Sequence, residues 1–128
     1  MPLHHFEDLE VWKRSSRLAV SVLELIEPLK LYALRDQMAR CCISVPSNIA
    51  EGAERESDRE FRRFLAIAKG SAGELRTQLY IGIRAGYFSS EAAGSLIEES
   101  KQIASMIEGL RKKLGGGGML NALFGWLF

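Results

Sequence analysis

Only two cysteines occur in the 128 residues, and they are neighbours, Cys41 and Cys42. Adjacent side chains on a helix diverge by about 100°, so this pair does not readily bridge. With no third thiol a disulfide framework is excluded, and a reducing compartment fits. Proline is equally scarce, at positions 2, 28 and 46, and no hairpin dipeptide stands between alternating strands. An excess of either charge is lacking too. The 17 basic and 16 acidic residues leave a net charge of +1, so no global field draws nucleic acid or an anionic membrane, and binding of that kind needs a local patch. No apolar run approaches the roughly 20 residues of a membrane span. The start, MPLHHFEDLE, has neither the basic nor the apolar segment of a secretion signal, so the expectation is a cytoplasmic protein. His4 and His5 stand together without a third metal ligand, and no strand precedes a glycine-rich phosphate loop. The expectation is therefore a protein that is not an enzyme, with no metal, no cofactor and no small-molecule substrate.

What is present is helical periodicity. Apolar residues make up 47% of the chain, enough for the packed core of one domain. Phe6, Leu9, Trp12, Leu18, Val22, Leu25 and Ile26 predict a first helix that Pro28 ends. A second runs from about 31 to 54. Ser57, with Glu60 three residues on, reads as a capping box. It opens a third helix whose seam is Phe61, Leu65, Ala68, Ala72, Leu75, Leu79 and Gly86, with Gly82 closing the spacing, until the stretch Gly86-Tyr87-Phe88-Ser89-Ser90 breaks it. Either Ser89 or Ser90 caps a fourth, which presents Leu96, Ile97, Ile103, Ile107, Leu110 and Leu114 and ends near 114; Arg111, Lys112 and Lys113 suit the dipole of its last turn. Four long helices with short connections predict an all-α fold, an antiparallel up-and-down four-helix bundle over residues 1–114.

Residues 115–128 form a separate unit, four glycines and then MLNALFGWLF. Glycine runs act as flexible tethers. The peptide reads either as an engineered appendage or as an apolar element for a groove, for self-association or for membrane-surface contact through 119–128.

The most distinctive stretch is SVPSNIAEG, residues 44–52. Inside a helix Pro46 removes the bond to the Cys42 carbonyl and costs roughly 3 kcal/mol. Ser44, Ser47 and Asn48 are short polar neighbours that can bond freed backbone groups, so the second helix is expected to continue with a kink. The third helix offers a counterpart in Gly70, Ser71, Ala72, Gly73 and Glu74, where small residues would let a backbone approach. Asn48, Glu51, Glu74 and Gln78 could then meet as a polar cluster that fixes register; with no histidine or lysine on that face, catalysis is a distant reading.

Basic residues exceed acidic ones chiefly on the third helix. Arg55, Arg62, Lys69 and Arg76 recur every seven residues, a stripe with little drift, and Arg59 and Arg63 lie beside it. Such a stripe can follow phosphates. The same residues flank the seam, where basic side chains also cover apolar surface and pair with acids; no aromatic residue interleaves as a stacking platform would require. Phe64, Ile67, Ile81 and Ile83 lie off the seam and suit either a central helix or an oligomer interface.

Taken together, several stretches carry a resemblance: Leu34, Gln37, Met38 and Arg40 before SVPSNIAEG with Gly52 and Arg55, Phe6 and Leu9 to Trp12 near the start, and Phe61, Phe64, Leu65, Gly70, Ser71, Glu74, Leu75 and Gln78 later. Over residues 6–114 the chain resembles the four-helix-bundle proteins encoded within 23S ribosomal RNA intervening sequences. The resemblance implies a cyclic homo-oligomer, usually a pentamer, in the bacterial cytoplasm, with no known catalysis. The fold is also similar to the accessory variability protein of diversity-generating retroelements, which binds nucleic acid beside a reverse transcriptase. RNA or DNA contact is the first functional expectation. The alternative is a ring-forming scaffold whose apolar tail mediates assembly.

Overall fold

The computed structural model describes residues 5–115, and the described chain is all helix, without strands. A short 3₁₀ turn, Phe6–Asp8, precedes α1 (Glu10–Ile26), α2 (Tyr32–Glu54), α3 (Asp58–Arg84) and α4 (Ser90–Gly115). The expected first helix is thus divided, because Leu9 adopts an extended conformation, φ −75° and ψ 125°, before α1 begins. Phe6 and Trp12 close over this break with ring centroids 5.2 Å apart, edge to face, a geometry that the ring quadrupoles favour.

Each helix packs on two neighbours, α1 on α2 and α4, α3 on α2 and α4. That cyclic order is a four-helix bundle with antiparallel neighbours, the arrangement short connections impose. Its core contains Val22, Met38, Val45, Ile49, Leu65, Leu75, Leu79, Ile103 and Ile107, none more than 1% exposed. Each fully buried apolar side chain of this size contributes roughly 1.5–3 kcal/mol. The α3 seam is buried from Phe61 through Gly82. Leu29 is buried in the α1–α2 connection and its N–H bonds the Ile26 carbonyl at 3.0 Å, so the turn is anchored from both sides of the chain.

The caps follow the sequence where a hydroxyl stands ahead of an apolar run. Ser57 Oγ accepts from Glu60 N–H at 3.1 Å, and Ser89, of the two candidate serines, accepts from Ala92 N–H at 3.1 Å. The capping box is only half made, since the Glu60 carboxylate turns to Arg63 instead. Gly86 does not continue the α3 seam. It is exposed with φ 85°, and the N–H groups of Gly86 and Tyr87 bond the carbonyls of Ile83 (3.1 Å) and Gly82 (2.8 Å). This pair of bonds is a Schellman end, and it needs a residue that tolerates the left-handed region. The Phe88 ring then folds back onto Gly82, occupying the space a Cβ would take there.

One contact sets the register of α1 against α4. Arg14 donates to both carboxylate oxygens of Glu99, from Nε at 2.9 Å and Nη2 at 2.6 Å, and Nη2 also reaches Gln102 Oε1 at 2.6 Å. Such two-pronged charge-assisted bonds carry geometric as well as energetic weight. The Arg14 bond holds the Glu99 carboxyl below its ordinary range despite partial burial.

Candidate functional site

Two clefts gather the residues singled out in the sequence. The first lies between α2 and α3, is lined by Gln37, Arg40, Cys41, Ser44, Ser71, Glu74 and Gln78, and encloses about 360 Å³. Helix α2 runs unbroken through Pro46, which is buried. Asn48 Nδ2 bonds the Ser44 carbonyl at 2.8 Å and Ser44 Oγ at 2.9 Å, and Ser44 Oγ shares a hydrogen with Ser71 Oγ at 2.8 Å. These bonds go to Ser44 rather than to the Cys42 carbonyl that Pro46 leaves without its N–H, and through Ser71 they tie α2 to α3. Ser47 is exposed.

The expected four-member polar cluster does not assemble. Glu51 pairs with Arg55 at 2.9 Å on the exposed side of α2, Glu74 is exposed, and Asn48 turns to Ser44 on its own helix. Gln78 lines the cleft with its Oε1 buried and lacking a partner among the described residues. Cys41 closes the contact with α3, its thiol donating to the Ser71 carbonyl at 3.1 Å. Burial pushes both thiols up, Cys41 and Cys42 each to about 11, which keeps them protonated and poorly nucleophilic.

Helix approach in this region is governed by Gly52 rather than by the glycines of α3. A Cβ at Gly52 would stand 2.8 Å from Phe64 Cβ and 2.9 Å from Phe61 Cδ1, so the last turns of α2 meet the first of α3 only because this side chain is absent. Gly70 faces open space and Gly73 meets only the Arg76 side chain. The expected close backbone approach at these two positions does not occur within the described chain, because the bundle turns the intervening Ser71 and Ala72 inward instead.

The second cleft lies where α3 begins and α4 ends, about 320 Å³ lined by Arg59, Glu60, Arg62, Arg63, Ala66 and Arg111. The seven-residue stripe does not stay on one line. Arg55 is the C-cap of α2, ahead of α3, and its guanidinium lies 4.9 Å from the centre of the Phe64 ring, which Arg63 also approaches at 4.6 Å. Phe64 is therefore an aromatic among the arginines, but it is only 9% exposed and offers no face for a base. Arg63 donates to both Glu60 oxygens, at 3.1 and 3.2 Å, and that bond holds the Glu60 carboxyl below its usual range. Lys69 crosses to α4 and pairs with Glu108 at 3.1 Å, and Arg111 holds the same carboxylate at 2.7 Å. Arg62 is half-buried, with its side chain where a Cβ on Gly115 would stand, and Arg76 is half-buried further along α3. Neither Arg59 nor Arg62 makes a direct ion pair among the described residues, although Arg59 acts on the Glu60 carboxylate through space.

Arg111 is the member that sequence spacing missed. Its place in a basic last turn suggested the helix dipole alone, whereas the antiparallel register that pairs Lys69 with Glu108 brings Arg111 beside Arg62 and Ala66. Among the described residues, no group of three or more His, Cys, Asp and Glu could hold a metal ion, and no helix is long and apolar enough to cross a membrane. Contacts expected of residues 119–128, and of His4, lie outside the described residues.

The fold and its clefts define an all-α, four-helix protein with a structural serine–asparagine network on one helix pair and a converging arginine cluster on another. The chain belongs to the 23S rRNA-intervening sequence protein family, whose pattern matches residues 7–109. It is similar to a crystal structure of a protein of unknown function from the S23 ribosomal protein family of Bacteroides thetaiotaomicron VPI-5482. Identity is 26%, the TM-score is 0.76, and the match covers 80% of this chain and 98% of that one. No curated protein matches the chain.

Proposed function

We propose that this protein is a non-enzymatic RNA-contacting bundle that works as a cyclic homo-oligomer, a pentamer by its family resemblance, in the bacterial cytoplasm. The observation that carries the nucleic-acid reading is the concentration of guanidiniums where α3 begins: Arg59 and Arg62 make no direct ion pair among the described residues, and Arg63 and Arg111 stand beside them. In a chain with a net charge of only +1, a local excess of this kind is what a polyanion would find. Lys69 is engaged by Glu108 and contributes less; Arg55, Arg76 and the exposed edge of Arg63 extend the surface. The family's name, taken with these arginines, makes RNA the first polymer to try. The α2 helix is proposed to bend at Pro46, where the bond to the Cys42 carbonyl is absent.

Binding of a labelled oligoribonucleotide to the full chain, followed by fluorescence anisotropy across a salt series, tests the reading. Three or four phosphate contacts on a single strand give a log–log slope of roughly −2 to −3, and neutralising Arg59, Arg62 and Arg76 flattens it. Absent or salt-independent binding overturns it.

A scaffold is the second reading, and exposed apolar residues favour it. Val20, Ile43, Ile67 and Ile81 are 56%, 47%, 41% and 52% exposed, large apolar side chains that a second copy would cover. Light scattering on the full chain and on a chain ending at Leu114 separates the readings. Equal masses make assembly a property of the bundle; a larger species only with residues 115–128 makes the tail the assembly element.

A further inference from the structure

We propose that the cleft between the first turns of α3 and the last turns of α4 receives the terminal phosphate of a nucleic-acid strand, held by Arg59, Arg62, Arg63 and Arg111; this rests on the nucleic-acid reading above. Four guanidiniums and one carboxylate line it. Guanidiniums do not lose their protons in proteins, so the excess of positive charge is permanent. It is only partly answered inside the chain. Glu60 engages Arg63, and Glu108 is shared between Arg111 and Lys69. Arg59 and Arg62 make no close ion pair among the described residues, although Glu60 also feels Arg59 through space, and Arg111 Nε is buried without an acceptor there. A desolvated donor of that kind is costly to leave unmade, and an anion in the cleft would face several such donors together.

The chemistry of the donors selects the anion. Guanidinium forks match the oxygens of carboxylate and phosphate. A carboxylate has two oxygens and one charge; an internal phosphodiester likewise has one charge, two free oxygens and chain on both sides. A terminal phosphomonoester has three free oxygens and carries close to two charges at neutral pH, which suits a lining that is three positive charges in excess. Ala66 keeps that wall of the cleft low. The helix dipoles do not decide the sign, because the start of α3 favours an anion while the end of α4 opposes it by a similar partial charge. The arginines decide it.

The test compares one 3′-labelled oligoribonucleotide with a 5′-phosphate and with a 5′-hydroxyl, binding to the full chain at physiological ionic strength. The phosphorylated strand is expected to bind about tenfold tighter, the scale of one added charge-assisted fork. Arg111→Gln is expected to bring the two strands within about twofold of each other. Arg59→Gln, at an exposed position, should do the same, while Arg76→Gln weakens both strands equally. Inorganic phosphate should compete with the phosphorylated strand first. Equal binding of both strands by the unaltered protein overturns the terminal-phosphate site and leaves the nucleic-acid reading standing. Binding of neither strand overturns both.

Discussion

Gly52 and Gly70 look alike in the sequence, each a glycine beside a polar motif on a helix, yet the surroundings assign them opposite behaviour. Alanine at Gly52 would press its Cβ to 2.8 Å from Phe64 Cβ, so Gly52→Ala is expected to destabilise the fold by about 1–3 kcal/mol through overpacking. Gly70 has nothing within 4 Å. Gly70→Ala should therefore gain about 0.5–1 kcal/mol from helix propensity; urea unfolding of the two variants checks both signs. Loss of stability or of assembled mass in Gly70→Ala would locate a second copy on that face. The two thiols give a further residue-level test. Their ionisation is moved from 9.0 to about 11 by burial, so at pH 8 the folded protein should hold roughly a hundredfold fewer thiolates than the unfolded chain. Thiol-reagent kinetics with and without urea measure that ratio. The sign on stability follows: the neutral thiols favour the fold below the ordinary value, and that contribution is lost as pH rises towards about 11.

At the scale of the element, boundaries were legible wherever a polar side chain had a local task. Ser57 and Ser89 were visible as caps because their hydroxyls act within three residues. Ser57→Ala should cost about 1 kcal/mol, with a smaller loss where Glu60 still favours the start of α3; thermal or urea unfolding reads it directly. The break at 86–90 is legible, but Gly86 also fits the heptad of the α3 seam as well as it fits a Schellman turn. Spacing does not distinguish the two, and only the reversal at Tyr87 and Phe88 decides. The start of α1 was misplaced for the same kind of reason. Phe6 and Leu9 have helical spacing, but the extended residue between the 3₁₀ turn and α1 brings Phe6 back over Trp12.

The whole molecule is joined by carboxylates whose ionisation the fold favours. Glu99 is held low by Arg14 across α1 and α4, and Glu108 by Lys69 and then Arg111 across α3 and α4. A carboxyl lowered in the folded state stabilises above its ordinary value of 4.5 and loses that contribution as pH falls through the folded value. Urea midpoints should therefore be level from neutral pH down to about 5 and then decline with acid, as these groups protonate. Glu99→Gln is expected to lower the neutral-pH midpoint and make the decline shallower. An undiminished acid decline in that variant would move the effect to other carboxylates.

The sequence by itself determined the helices and which face of each is buried, because 3.6-residue periodicity and capping hydroxyls act over a few residues of chain. It also carried the family, through motifs spread along the chain. The tertiary structure alone decided which side chains meet. The serine–asparagine network replaced the expected carboxylate cluster because α2 and α3 approach through Gly52, with Ser44 brought opposite Ser71. Of the arginine stripe only Arg62 reaches the cleft, because the chain turns between Arg55 and α3 and an antiparallel neighbour brings Arg111 to Arg62 across 49 residues of sequence. Heptad spacing describes one helix; a cleft requires the register of two.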